Sequence, residues 1–380
     1  MLNNPQGVRR ADMTGRTNGI SLGSENRSKE WFSMKKTVFL LLTVLVAATM
    51  AYGGGNSEKA TAPAANKGIV IGFAGFFTGN SWNNQCFASI EKAAAEDSEI
   101  ESLIVANADA NVEKQIAQIN DMVDKRVSAI VVMAASDTAE NRVLEDAVKA
   151  GIPVVTADHY VTSNNLTCQI YVDQLQWGRV TAQWLVDQLG AKGGKIVVLN
   201  GVAGNADNNG RWGGAKEVFD KHPEIKILAS ANADWDQAKA QPVVASWLAA
   251  YPQIDGVWSQ GGAMTAAAMI EFQKAGRPLV PMVGEAYNGF MKLWIKNQPH
   301  GFSSIAPVQP NFDVQIALEV AKRAAKGQPV PKKISIPLVI TTDKTVADTV
   351  VMDMPDDYWP INWLPAAEID KIISQAMSAQ

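Results

Sequence analysis

From about residue 68 onward, short apolar segments of strand length alternate with amphipathic segments of helix length. The predicted strands cover 69–74, 102–106, 129–133, 152–156, 195–199, 225–229, 254–258, 279–283, 302–306 and 334–340. Between the strands, apolar residues recur at helical spacing, as Ile116, Ile119, Met122 and Val123 do. Continuous apolar strands that alternate with such helices are typical of parallel sheets covered on both faces. The predicted fold class is therefore α/β.

So many strands would make one sheet unusually wide, so the sequence predicts two doubly wound parallel-sheet lobes with a break near 173–177. A predicted helix over 312–326, followed by a Gly- and Pro-rich turn over 327–331, indicates that the chain returns to its first half. A multi-strand hinge would join the lobes, with a ligand cleft between them. The expected lobes are 68–175 with 307–333, and 176–306 with 334–380, which includes a C-terminal tail.

The chain before residue 68 has the pattern of targeting and linker sequence. Two lysines precede a short apolar run over 38–48, and small residues follow it, which is typical of a secretory signal peptide. The run is shorter than the roughly 20 apolar residues that a membrane-spanning helix needs. The alternative is a genuine cytoplasmic extension before an anchor. The expected divisions are a non-native or disordered upstream segment over 1–33, a signal peptide over 34–51 and a flexible tether over 52–67.

Composition excludes several classes of protein. The formal net charge of −4 and the lack of a basic run argue against nucleic-acid binding. Three histidines and two cysteines, none of them clustered, provide no zinc ligand set, and no phosphate loop or nucleophile elbow is present. We therefore expect no cofactor, no metal and no catalytic residue. Cys86 and Cys168 are interpreted either as a disulfide pair or as two buried thiols.

Polar and aromatic side chains follow the predicted strands, at the carboxyl ends where open parallel sheets bind ligands. Carboxylates and amides bond neighbouring hydroxyls, and indoles stack on sugar rings, so this set suits a polyhydroxylated ligand. The asparagines could instead cap helices or close turns, and the tryptophans could pack in the core. The candidate ligand-binding residues are Asn80, Trp82, Asn83, Asp158, His159, Asn209, Arg211, Trp235, Glu285 and Gln309.

Several segments in sequence order resemble the periplasmic substrate-binding proteins of sugar ABC transporters, ribose/galactose type. The resemblance extends from about residue 68 to 345. Its strongest parts are Gly79-Asn-Ser-Trp82, Ile152-Pro-Val-Val-Thr-Ala-Asp158, Leu199-Asn-Gly-Val-Ala-Gly204, Arg211-Trp-Gly-Gly214, Ala233-Asp-Trp-Asp236 and Val283-Gly284. It implies two lobes that close over a monosaccharide held between aromatic rings and polar side chains.

Residue by residue, the resemblance implies that Asn80, Trp82 and Asn83 bind ligand from the first lobe and that Asp158 takes paired sugar hydroxyls. It also implies that Trp235 is the stacking aromatic residue of the second lobe.

The sequence departs from the family's ribose-binding pattern at several positions. His159 follows the acid where ribose binders have an arginine, and Asn209 falls at the arginine position of the second lobe. Gly261-Gly262 replaces an Asn-Asp pair, Glu285 stands where an aspartate is expected, and Gln309 is offset by two residues. These departures favour another pentose, a hexose or a polyol over ribose.

The resemblance implies an exported, periplasmic and monomeric protein that delivers its ligand to the membrane permease of an ABC transporter. Tyr52 stands where a lipid-accepting cysteine would be, so a lipid anchor is unsupported. One alternative is a receptor that passes a sugar or autoinducer-like signal to a chemoreceptor or sensor kinase. A remote alternative is a secreted carbohydrate-active enzyme, which would use Asp158 with Glu285 as paired carboxylates.

Overall fold

In the computed structural model, which describes residues 68–380, twelve strands form two six-stranded sheets. The sheets confirm the predicted α/β class with two parallel-sheet lobes. The predicted upstream segment, signal peptide and tether lie outside the described residues. Among the helices of the described part, none is both long and apolar enough to cross a bilayer.

The first lobe contains a fully parallel sheet with the strand order β11-β5-β4-β3-β1-β2. Its strands are β1 (Ile69–Gly75), β2 (Ile100–Asn107), β3 (Ala129–Val132), β4 (Val154–Thr156), β5 (Cys168–Val172) and β11 (Lys333–Ile336). Its helices are α1 (Ser81–Glu96), α2 (Val112–Asp124), α3 (Asn141–Lys149), α9 (Asp313–Ala325) and α11 (Ala366–Ser378). Each βα connection of this lobe delivers its loop to the carboxyl edge of the sheet.

The second lobe repeats this plan with the strand order β12-β10-β9-β8-β6-β7. Its strands are β6 (Gly194–Asn200), β7 (Ile225–Asn232), β8 (Gly256–Ser259), β9 (Met282–Val283), β10 (Ser304–Pro307) and β12 (Ile340–Thr342). Its helices are α4 (Gln174–Leu189), α5 (Ala206–Phe219), α6 (Gln237–Ala250), α7 (Gly262–Lys274), α8 (Asn288–Asn297) and α10 (Val346–Thr349). Only β12, which pairs with β10, is antiparallel in this sheet.

The structure differs from the predicted single strand over 334–340. Residues 333–336 pair with β5 in the first-lobe sheet, and residues 340–342 pair with β10 in the second-lobe sheet. Pro337 lies between them and has no backbone N–H to donate to a ladder, which favours an interruption at this point. The segment over 337–339 therefore crosses between the lobes, as the connections from β5 to α4 and from β10 to α9 also do.

Close packing of α4 on α5 fixes one side of the cleft. A Cβ on Gly178 would lie 2.0 Å from the carbonyl oxygen of Arg211, so only glycine allows this approach of the two helices. Trp177 is fully buried beside this contact, with the Arg211 guanidinium 4.6 Å from its ring centre. Cys86 and Cys168 are both buried free thiols, which resolves the two interpretations of these cysteines.

Candidate functional site

A narrow cavity of about 30 Å³ lies between the lobes, at the carboxyl edges of both sheets. This volume has room for about one or two water molecules. The lining side chains come from the two lobes, from the β10–α9 crossing and from the C-terminal tail. They are Phe76, Asn80, Trp82, Asn83, Asp158, His159, Asp207, Arg211, Trp235, Glu285, Gln309 and Trp359.

The start of α1 supplies part of the first-lobe wall, which we define as Asn80, Trp82, Asn83, Asp158 and His159. Asn80 caps α1, because its Oδ1 accepts from the Asn83 backbone N–H at 2.9 Å and from the Asn83 side-chain amide at 3.0 Å. Asn80 thus caps a helix, as one interpretation expected, and also lines the cavity. The Trp82 indole N–H donates to the Gln309 carbonyl at 3.0 Å, which fixes the ring beside the crossing segment.

Asp158 and His159 form a buried pair directly after β4. The backbone of Asp158 has φ +65°, a left-handed conformation that aspartate tolerates better than most residues. His159 Nε2 lies 2.9 Å from the Asp158 carboxylate, and His159 Nδ1 lies 2.5 Å from the Ala134 carbonyl. Phe76 packs edge-on against the imidazole, with 5.3 Å between ring centres. Both side chains of the pair are therefore fixed in position.

The second-lobe wall consists of Asp207, Arg211, Trp235 and Glu285. Asn205 caps α5, and the cap sets the helical phase so that Asp207 and Arg211, four residues apart, lie on one buried face. The Arg211 guanidinium forms an ion pair with Glu285 at 2.9 Å and donates to the Gln260 carbonyl at 2.7 Å. These contacts fix the guanidinium at the base of the cleft.

Asn209 does not lie in this cavity, although the resemblance places it at a ligand position. It is exposed, while Asp207 and Arg211, on either side of it in sequence, are buried. Two residues correspond to about 200° around a helix, so a side chain at 209 faces away from 207 and 211. The helical period thus places Asp207, which was not among the predicted residues, at the cavity and Asn209 outside it.

Trp235 is half-buried and has φ +55°, so its loop is strained at the point where the indole reaches the cavity. A Cβ on Gly261 would lie 2.8 Å from the Trp235 ring, so glycine at 261 leaves room for the indole. The departure at Gly261 from the family's Asn-Asp pair therefore has a steric cause.

Gln309, in the β10–α9 crossing, links the two walls. Its side-chain amide donates to the Asp158 carboxylate. Its Oε1 accepts from Arg211 at 3.1 Å and from Gln174 at 3.2 Å. A carboxylate of one lobe and a guanidinium of the other are thus joined through one amide group.

Burial and neighbouring charges change the protonation of three cleft residues. Burial lowers the pKa of His159, but the charge and hydrogen bond of Asp158 outweigh burial and raise the pKa to about 9. Burial, with the charge of Asp158, raises the pKa of Asp207 to about 7. Burial raises the pKa of Glu285 to about 7 against the opposing charge of Arg211. At neutral pH the imidazole is charged, and the two carboxyls are present both as donors and as acceptors.

Two buried polar atoms at the cavity have no hydrogen-bond partner among residues 68–380, namely Asn83 Oδ1 and Trp235 Nε1. An unpaired buried polar group costs about 1–3 kcal/mol, so a ligand group that pairs with it would stabilise a complex. One atom is an acceptor in the first-lobe wall, and the other is a donor in the second-lobe wall. A ligand hydroxyl could satisfy either atom.

The ligand atoms of Asp158, His159 and Asp207 lie within 4.8 Å of one another, close enough for a metal ion. The His159 imidazolium already pairs with Asp158, so a metal would have to displace a proton that is held with a pKa of about 9. This cluster is better described as an ion pair. The spacing of histidines and cysteines does not predict this convergence, because Asp207 comes from the other lobe.

Phe76 and Trp359 also line the cavity and were not predicted. Phe76 belongs to the loop after β1, where its position next to the polar residues was an available signal. Trp359 comes from the C-terminal tail.

Comparison with known proteins agrees with this architecture. The periplasmic binding protein domain family matches residues 71–329. The chain is 25% identical over 313 residues to the ribose import binding protein RbsB of Bacillus subtilis, covering 82% of this chain and 100% of that protein. It is 31% identical over 183 residues to the xylitol-binding protein of Mycolicibacterium smegmatis, covering 48% of this chain and 52% of that protein.

Among solved structures, an ABC transporter solute binding protein from Thermobispora bispora has the same fold, with a TM-score of 0.73 at 23% identity. The alignment covers 82% of this chain and 95% of that one. The family inferred from the sequence is thus confirmed. Because the family match alone spans well over half of the residues, the chain belongs to the periplasmic binding protein domain family.

Proposed function

We propose that this protein is an exported solute-binding protein that captures a monosaccharide or related polyol and delivers it to an inner-membrane ABC permease. The observation that carries the proposal is the pair of unpartnered polar atoms, Asn83 Oδ1 and Trp235 Nε1, on opposite walls of one cavity. A polyhydroxylated ligand satisfies both an acceptor and a donor, because each hydroxyl can donate and accept.

The other cleft residues support a neutral sugar or polyol. The Asp158–His159 pair and the Arg211–Glu285 pair each balance a charge within one wall, which leaves Asp207 as the lining acid without an ion pair in its own wall. Trp82 and Trp235 provide apolar ring surface for the C–H faces of a sugar. Both named relatives are sugar- or polyol-binding proteins.

Ligand capture would work by closure of the two lobes. Contacts from both walls stabilise the closed arrangement, so a ligand that reaches both walls shifts an open–closed equilibrium toward closure. Gln309 already joins Asp158 to Arg211 across the cleft, which indicates that the closed arrangement brings these groups into register. The permease would then recognise the closed form.

The paired-carboxylate alternative has little support in this geometry. Glu285 forms an ion pair with Arg211 at 2.9 Å, and Asp158 forms one with His159 at 2.9 Å. Each acid is therefore held by a cation of its own lobe. The relatives found by comparison are binding proteins.

The proposal is tested by titrating the purified protein with D-ribose, D-allose, L-arabinose, xylitol and myo-inositol. Isothermal calorimetry measures Kd, and thermal melting is measured in parallel, because a ligand that binds the folded state raises the melting temperature. We expect saturable binding that is tightest for one of the probes, with its affinity lowered at least about tenfold by Trp82→Ala and by Asp158→Ala. Binding that is unchanged in both variants, or no binding of any of the five, would contradict the proposal.

A further inference from the structure

The C-terminal tail, residues 350–364, lies beyond the 71–329 span that matches the family, and it contacts both lobes. It follows β12 and α10 of the second lobe and leads into α11, which packs with α9 of the first lobe. The tail is therefore a further connection between the lobes, in addition to the three crossings of the hinge.

On the second-lobe side, the start of α8 holds the tail. The Asn288 side-chain amide donates to the carbonyls of Val351, Met354 and Pro355 at 2.9, 3.1 and 2.9 Å. Its Oδ1 accepts from the Val351 backbone N–H at 2.9 Å. Asn288 is fully buried, so one side chain fixes the course of several tail residues.

On the first-lobe side, Trp359 is attached to α1. Its backbone N–H donates to Gln85 Oε1 at 3.1 Å, and its carbonyl accepts from the Gln85 amide at 2.9 Å. Its indole N–H donates to Ser81 Oγ at 2.9 Å. Since its polar atoms are engaged in this way, Trp359 presents ring surface to the cavity that it lines.

From these contacts we infer that Trp359 is a ligand-contacting, specificity-determining residue that the C-terminal tail supplies to the cleft. The ring is 4% exposed and packs 5.2 Å from the Tyr287 ring, two residues from Glu285 of the second-lobe wall. Held by α1 and packed against the second lobe, it forms a rigid boundary of the cavity. A rigid aromatic boundary restricts which sugar or polyol shapes fit, and this inference rests on the proposed function.

The test compares Trp359→Ala with Trp363→Ala, using the five probes of the titration above and calorimetry. Trp363 is a matched control because it belongs to the same tail but is 37% exposed and lies over Lys92, outside the cavity. We expect Trp359→Ala to weaken the best-bound probe about tenfold or more and the others less. The ratio between the Kd values of the other probes and that of the best-bound probe would therefore decrease. Trp363→Ala should leave every Kd within about twofold of the wild type.

Equal weakening of all five probes would identify a purely structural role for the ring and would overturn the inference, as would unchanged affinities. If the alanine variant does not fold, Trp359→Leu keeps apolar bulk and removes the ring. It should also decrease the ratio between the Kd values of the probes. Failure of the proposed function would be visible in the wild type, which would then bind none of the probes. Failure of the inference alone would leave wild-type binding intact and selectivity unaltered in the Trp359 variants.

Discussion

The first-lobe wall and the second-lobe wall of the cleft each contain a buried ion pair, but the cations differ in kind. In the first-lobe wall the cation is His159, whose charge depends on pH, with side-chain exposures of 5% for His159 and 2% for Asp158. In the second-lobe wall the cation is Arg211, which remains charged at any relevant pH. Similar topology and similar burial thus surround one pair whose cation is an imidazolium and one pair whose cation is a guanidinium.

Because the cations differ, the second-lobe wall should respond to removal of its guanidinium and the first-lobe wall to a change of pH. The Arg211–Glu285 pair is tied into the protein by Gln174, Gln260 and Gln309, so it depends on the presence of the guanidinium. The Asp158–His159 pair depends on a proton. Three predictions follow from the comparison, in order of decreasing effect.

The largest effect is expected for Arg211→Met. The substitution removes the partner of Glu285 and also the donor to Gln174, Gln260 and Gln309, and these losses together cost about 3–5 kcal/mol in the free energy of unfolding. Urea unfolding at neutral pH measures the loss. The control is Arg179→Met, which breaks an exposed pair with Glu217 between α4 and α5 and should cost no more than about 1 kcal/mol. Equal losses of unfolding free energy in the two variants would contradict the prediction that the buried pair stabilises the fold more than the exposed pair does.

The second effect concerns pH and the first-lobe wall. Because the pKa of His159 is raised from 6.5 to about 9 on folding, its stabilising contribution is complete below about pH 6.5 and is lost as the pH rises through about 9. The stability advantage of the wild type over His159→Gln should therefore shrink by about 3 kcal/mol between these pH values. Unfolding free energies of both proteins across this range measure the change.

The matched control for this prediction is His222→Gln, which changes a half-buried histidine outside the cleft. Its difference from the wild type, measured over the same range, is the baseline for a histidine outside the cleft. A constant difference between the wild type and His159→Gln would show that the imidazole charge does not stabilise the first-lobe wall.

The smallest effect separates two asparagines that the sequence treated alike. Asn83→Ala removes an unpartnered acceptor at the cavity and should weaken binding of the ligand found in the titration by about 1–3 kcal/mol. Asn209→Ala changes an exposed residue outside the cavity and should leave Kd unchanged within about twofold. Calorimetry on both variants compares them directly. A larger loss of affinity in Asn209→Ala than in Asn83→Ala would support Asn209 as a ligand-binding residue, as the resemblance implies.

Much of the fold was predictable because its signals are local. The buried strands β1, β3 and β6 are continuous apolar runs, and the helix predicted over 312–326 is observed as Asp313–Ala325. Residues that directly follow such strands, Asp158 among them, lie at the cavity because parallel strands bring their carboxyl ends to one edge.

The differences from prediction arose where a position depends on the exact start of a helix or on contacts between distant segments. Helical phase on α5 places Asp207 and Arg211 at the cavity and turns Asn209 away, and that phase depends on where the Asn205 cap starts the helix. Pro337 divides the last predicted strand, but its two halves join different sheets only because β5 and β10 offer edges there.

The sequence by itself therefore determined the α/β class, the two lobes and the residue types available at the strand ends. The reason is that apolar periodicity and the alternation of strands and helices along the chain are properties of neighbouring residues. Only the tertiary structure decided which of those residues share a cavity, that Gln309 joins the two walls, and that Trp359 lines the cleft. The physical reason is that each of these contacts joins residues about a hundred or more positions apart, whose proximity depends on how the lobes pack rather than on local pattern.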